Sequence, residues 1–224
     1  MPNWCDNQIT ITGPNSVIDK IEKIVKEESN NAENGLLQFF HPMPKELLET
    51  EAGPIAKTKA EKDERKARKL EFGAENWYDW RVNNWGTKWE VCEFYGVDRQ
   101  YLTEQSEGES TISFAFSSAW SPPIGAYEKF LENNSDCFIR AYYYEGGCDF
   151  MGLWEDGVDD CYAPSDYKST DDFWQDGVGS TLDDYFGITE SMAEYEAEQE
   201  EENRLNEDVY KYSKGEKVNI GEEV

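Results

Sequence analysis

Basic residues are scarce in this chain of 224 residues: 21 Lys and Arg stand against 48 Asp and Glu, for a formal net charge of −27. That balance repels the phosphate backbone, which excludes ordinary groove or backbone binding to DNA or RNA. It repels anionic membranes as well. Long apolar runs are missing: no stretch approaches the roughly 20 apolar residues of a spanning helix. The start, MPNWCDNQ, has neither a basic n-region nor an apolar h-region, so no secretory leader is read there and the cytoplasm is the expected location. Histidine occurs once, at His41. With no GxSxG turn, no GxxxxGK(S/T) loop and no GxGxxG loop, neither a His-based triad nor a phosphate-cradling site is expected. Cysteine is odd in number (Cys5, Cys92, Cys137, Cys148 and Cys161) and forms no CxxC pair. A closed disulfide framework and a zinc site are both disfavoured. Reduced, mostly buried thiols, no metal and no cofactor are the expectation.

What the chain does have is aromatic mass and lopsided charge. Apolar residues make up only 38%, yet 8 Trp, 13 Tyr and 11 Phe bring the aromatic fraction to 14%. These large side chains build a core from few positions and exclude global disorder. Residues 1–140 carry a balance of −8, and residues 141–224 carry −19.

The pattern along the chain is that of an α+β domain. Asn7-Gln8-Ile9-Thr10-Ile11-Thr12 alternates polar and apolar and stops at Gly13-Pro14, which predicts a half-buried strand. A helix follows, with Ser16 as N-cap and Val17, Ile18, Ile21, Ile24 and Val25 as its apolar stripe. Leu36-Leu37-Gln38-Phe39-Phe40 reads as a short buried strand. Residues 45–85 form an insertion of helical character, in which 57–69 is either a solvated helix or a loop. Strands are predicted at 90–95, 111–116, 137–145 and 149–155, with a helix over 124–133 that starts behind Pro123. The order β-α-β, insertion, β-β-α-β-β is that of a ferredoxin-like antiparallel sheet with helices on one face. Residues 1–155 are thus read as the domain, 156–212 as an acidic, aromatic-bearing, partly helical extension, and 213–224 as a frayed tail.

Three segments, MPNWCDNQITITG at the start, NNWGTKWEV at 83–91 and FAFSSAWSPP at 114–123, resemble the signature blocks of the YubB-like family of phage and plasmid proteins. The resemblance spans about residues 1–155 and leaves the acidic extension out. It implies a mobile-element accessory protein with a ferredoxin-like core, and it carries over no catalytic residue.

Two groups of residues are candidates for binding. Trp4, Trp85, Lys88, Trp89 and Trp120 lie in the three blocks; they either line a ligand surface, with Lys88 facing an anion, or form the corners of the domain. Asp156, Asp159, Asp160, Asp166, Asp171, Asp172, Trp174, Asp176, Asp183, Asp184 and Tyr185 combine dense carboxylates with aromatic anchors, the composition of a surface that imitates a duplex. The same acids lack the spacing of an EF-hand loop. The leading expectation is a non-enzymatic accessory protein that binds and inhibits a host protein with a basic surface, such as a defence component, through this acidic surface. The alternative is a binder of a nucleotide-like small ligand at the Trp-lined surface. Direct nucleic-acid and membrane partners are not expected; homo-oligomer formation stays open.

Overall fold

The computed structural model describes residues 3–27, 34–53, 58–102, 108–167, 169–175 and 177–213, in two compact units divided at Ala163/Pro164. The first unit is built on strand β1 (Trp4–Pro14), whose odd positions Cys5, Asn7, Ile9 and Ile11 are buried while the even ones from Asp6 onward are half-buried. Strict alternation of this kind makes one sheet face the core face. Helix α1 (Asn15–Lys26) buries Ile18, Ile21 and Val25 on it. Helices α2 (Leu36–Phe40), α3 (Lys45–Leu48), α4 (Lys59–Phe72) and α5 (Trp77–Trp85) precede β2 (Cys92–Tyr101). Then come β3 (Glu109–Ala119), α6 (Ile124–Asn133), β4 (Phe138–Glu145), β5 (Phe150–Glu155) and β6 (Val158–Tyr162).

The strands form one six-stranded antiparallel sheet in the order β2-β3-β1-β4-β5-β6. Its first four strands, with α1 and α6 as crossovers, have the split βαβ arrangement of a ferredoxin-like domain. The register places Ile9 between Phe114 and Ala141, and Ile11 between Ile112 and Ile139. Side chains of α1, α2, α3, α5 and α6 join these residues in a single core. Strand β2 is an edge whose register shifts at Cys92/Tyr95 and again at Tyr95/Asp98; such irregularity blunts an exposed edge. Arg99 pins this edge to α1, donating to Asp19 at 2.7 Å and Glu22 at 2.6 Å.

Two strand predictions change. Residues 36–40 are a helix and not a strand. Periodicity cannot separate the two for so short an apolar run, and a distant group decides: the Glu90 carboxylate accepts the N–H of Leu37 at 2.6 Å and of Gln38 at 3.1 Å. Gly35 leaves the room this needs, since a Cβ there would overlap the Glu90 side chain. The sixth strand lies instead at 158–162, past the boundary read at 155. Asp156 and Gly157, at φ 46° and 89°, turn β5 into β6, the positive-φ pair of a type I′ hairpin. Tyr143 in β4 reaches across Gly152 in β5 to donate to Asp159 at 2.7 Å.

Local rules account for the other elements. Helix α4, the basic stretch, has a Thr58/Glu61 capping box and ends at Gly73 with φ 78°, and it buries no residue. Lys57 lies outside the described residues. Pro14, not Ser16, precedes α1. Gly125 lets α6 approach the end of α5; a Cβ there would meet the Asn84 carbonyl oxygen at 2.6 Å.

The second unit holds a one-turn helix at Pro164–Asp166, then α7 (Thr170–Gln175), α8 (Gly177–Phe186) and α9 (Ile188–Ser213). Phe173, Leu182 and Ile188 are its buried apolar anchors. Of the end predicted to fray, 213–224, Ser213 is the last residue of α9 and 214–224 lie outside the described residues.

The Tyr143–Gly152–Asp159 arrangement is testable. Gly152→Ala places a Cβ against the Tyr143 hydroxyl and 2.6 Å from the Asp160 carbonyl oxygen. It should cost about 1–3 kcal/mol in urea unfolding, as overpacking does. Amide exchange should accelerate in Val158–Tyr162 more than in β1.

Candidate functional site

The three aromatic blocks converge in space. Helix α5 ends at Gly86 with φ 86°, the left-handed geometry that favours glycine. Thr87 Oγ1 then donates to the Ala119 carbonyl at 2.7 Å, Ser118 Oγ to the Ser121 carbonyl at 2.9 Å, and Ser121 Oγ to the Gly86 carbonyl. The N-terminal block is bound in by the Trp120 N–H, which donates to the Asn3 carbonyl at 3.0 Å. Trp120 itself sits at φ 75°, a strained region for a bulky residue.

This lacing gathers four of the five predicted residues. The Lys88 ammonium lies 4.3 Å from the Trp89 ring centroid and 5.0 Å from that of Trp120. Tyr78, 5.9 Å from the ammonium, completes the surround. Trp4 packs on Trp89 with centroids 6.1 Å apart, and Tyr78 meets Trp120 edge-on at 6.4 Å. Trp4 is 43% exposed and Trp120 38%. Among the described residues Lys88 has no carboxylate partner, although the chain carries 48 acids. Tyr78 was absent from the prediction; its only sequence signal is that it lies off the Trp77/Trp80 face of α5.

Trp85 is not part of this cluster. It is fully buried, its Nε1 donates to the His41 carbonyl at 2.8 Å, and the Arg81 guanidinium stacks on it at 4.8 Å. The turn at Gly86 sends Trp85 inward and Lys88 outward. His41 serves the same packing: its Nδ1 lies 3.2 Å from the Asn84 carbonyl, its ring meets Trp80, and burial lowers its pKa. The cysteines depart from the mostly buried expectation, for only Cys5 and Cys137 are buried. Cys148 and Cys161 are exposed because the first lies in the β4–β5 turn and the second on edge strand β6. Burial raises the Cys137 thiol to about 11, with Asp136 and Glu109 adding to the effect.

The acidic candidates are divided between the two units. Asp156, Asp159 and Asp160 belong to the β5–β6 hairpin, and the first two have structural partners in Ile139 and Tyr143. Asp166, Asp171, Asp172, Trp174, Asp184 and Tyr185 are exposed in the second unit. Asp183 accepts the Thr189 N–H at 2.6 Å and hydroxyl at 2.8 Å, joining α8 to α9. Asp176 lies outside the described residues. No three His, Cys, Asp or Glu side chains among the described residues gather closely enough to hold a metal. The densest exposed charge lies further on, in α9, where Ile188 at the start is the one buried residue among the described side chains.

No protein-family model and no curated protein matches the sequence. Among solved structures, the chain is similar to the crystal structure of a protein api92 from Yersinia pseudotuberculosis, of family DUF1281. The identity is 13% and the TM-score 0.37, over 75% of this chain and 96% of that one. No helix among the described residues is long and apolar enough to cross a membrane.

Glu90, one residue after Trp89, is buried. Burial raises its pKa to about 7, against the pull of three backbone N–H groups and Arg81. The folded state therefore holds a proton that the unfolded chain releases near pH 4.5. The stabilisation is complete below that pH and lost as pH rises through about 7. Urea midpoints should fall between pH 5 and 8, and Glu90→Gln should remove about 3 kcal/mol of that pH dependence.

Proposed function

We propose that this chain is a non-enzymatic binding protein whose acidic helix α9 engages a host protein with a basic, nucleic-acid-handling surface and occludes it. The observation that supports the reading is the charge line on that helix. Glu190, Glu194, Glu198 and Glu202 recur at i,i+4 and are all exposed. Glu194, Glu196, Glu198, Glu201 and Glu202 fall within nine residues, about 12 Å of helix axis. That is one carboxylate per roughly 3 Å, within a factor of two of the one charge per about 1.7 Å of a DNA duplex. Of these five, only Glu201 has an ion partner among the described residues, Arg204 at 3.7 Å.

Energetics favour a polycation as the partner. Like charges at i,i+4 destabilise a helix by about 0.2–0.5 kcal/mol per pair. A basic surface relieves that repulsion and gains fast, salt-sensitive association. Tyr195, 63% exposed, lies within the acidic run, with Leu205, Val209 and Tyr210 exposed beyond it; aromatic side chains are the usual anchors of such contacts. Mobile-element origin and inhibition of a defence component accord with the YubB-like sequence blocks.

The test uses the full chain and a variant with Glu190, Glu194, Glu198 and Glu202 changed to Gln. The wild type should capture from host lysate a protein that DNA competes away, with capture lost at about 0.5 M salt, where screening is short-ranged. The variant should lose that capture while its α9 amides gain protection of up to about tenfold at low salt. Capture that survives both high salt and the substitutions would overturn the reading.

A further inference from the structure

We infer that the cluster of Trp4, Tyr78, Lys88, Trp89 and Trp120 is a binding site for a flat aromatic ring carrying one anionic group, the chemistry of a nucleoside monophosphate or an aryl carboxylate. This site lies in the first unit and stands independently of the reading of α9.

The missing counter-charge is the first argument. The two arginines carried by the sheet strands both have carboxylates: Arg99 has two, and Arg140 has Glu155 at 2.6 Å. Lys88 has rings in their place. Three ring faces within 6 Å hold its ammonium by cation–π attraction. They also take water away from it without supplying a negative charge. A second cation gains nothing there, because Lys88 already occupies the negative faces of the rings. An anion gains a partly desolvated ammonium, and charge-assisted bonds of that kind are the strong ones.

Shape is the second argument. Trp4 and Trp120 remain 43% and 38% exposed, which leaves indole surface to stack on a planar ring. The strained backbone at Trp120 is held by the Asn3 carbonyl, and the Thr87, Ser118 and Ser121 hydroxyl bonds fix the adjoining turns. Preorganised rings lose little entropy on binding. Net charge sets a ceiling: with −27 on the chain, a ligand of several negative charges is repelled, so one acidic group is preferred over a triphosphate.

The experiment follows the indole N–H resonances of the full chain while AMP, ATP, benzoate, adenosine or inorganic phosphate is added. AMP or benzoate should shift the Trp4, Trp89 and Trp120 signals saturably, leaving Trp174 unmoved. AMP alone identifies the nucleotide class and benzoate alone the aryl carboxylate. Adenosine and phosphate, each half of the ligand, should bind at least about tenfold more weakly, and ATP no better than AMP. Lys88→Met keeps the stem over the rings and should weaken binding about tenfold, whereas Lys88→Arg should retain it. Unmoved indoles with both AMP and benzoate would overturn the site. So would equal binding by the wild type and a folded Lys88→Met chain.

Discussion

The carboxylate of Glu90 closes the first unit. It accepts backbone N–H groups from Leu37, Gln38 and Val91, and it faces Arg81. Through these contacts it joins α2 to the segment that enters β2, with Arg81 of α5 facing it. A buried carboxylate is costly unless its oxygens are satisfied, so its partners are constrained together. Gly35 must lack a side chain, α2 must begin where it does, and the turn carrying Lys88 and Trp89 must enter from one direction. Arg81 answers the charge from α5 while stacking on Trp77 and Trp85. Loss of this bond set would loosen the insertion and the aromatic cluster at the same time.

The acids of this chain divide by what faces them. Asp156, Asp159, Asp183 and Glu90 meet backbone N–H groups or hydroxyls and act as structural acceptors. Asp19, Glu22 and Glu155 pair with arginines. The exposed line on α9 stands apart from both groups. The net charge therefore separates into a structural share and an exposed share, and the exposed share carries the proposed partner surface. Lys88 is the complementary case, a cation left with rings amid an excess of carboxylates.

Much of the fold was legible because its signals are local. The alternation of Ile9 and Ile11 with threonines, the proline before α6 and the apolar stripe of α1 each specify an element within a few residues. The hairpin into β6 was also written locally, as Asp156-Gly157 between β-prone residues, and the acidity of the surrounding segment masked it. The candidate site was legible in part. The blocks named Trp4, Lys88, Trp89 and Trp120, but a block cannot show which of its tryptophans turns inward. Trp85 and Trp89 look alike in sequence and differ in burial because Gly86 reverses the chain between them.

Residue order by itself determined the α+β class, strand β1 with helix α1, the strands flanking α6 and the acidic helix at the end. Each of these follows from backbone conformations and side-chain periodicities set within one or two turns of chain. Tertiary structure alone decided that residues 36–40 are helical, that three distant blocks meet and that Lys88 rests among rings. Those outcomes depend on bonds between groups far apart in the chain, such as Glu90 to Leu37 and Trp120 to Asn3. Such bonds acquire a partner only once the sheet has brought the segments together.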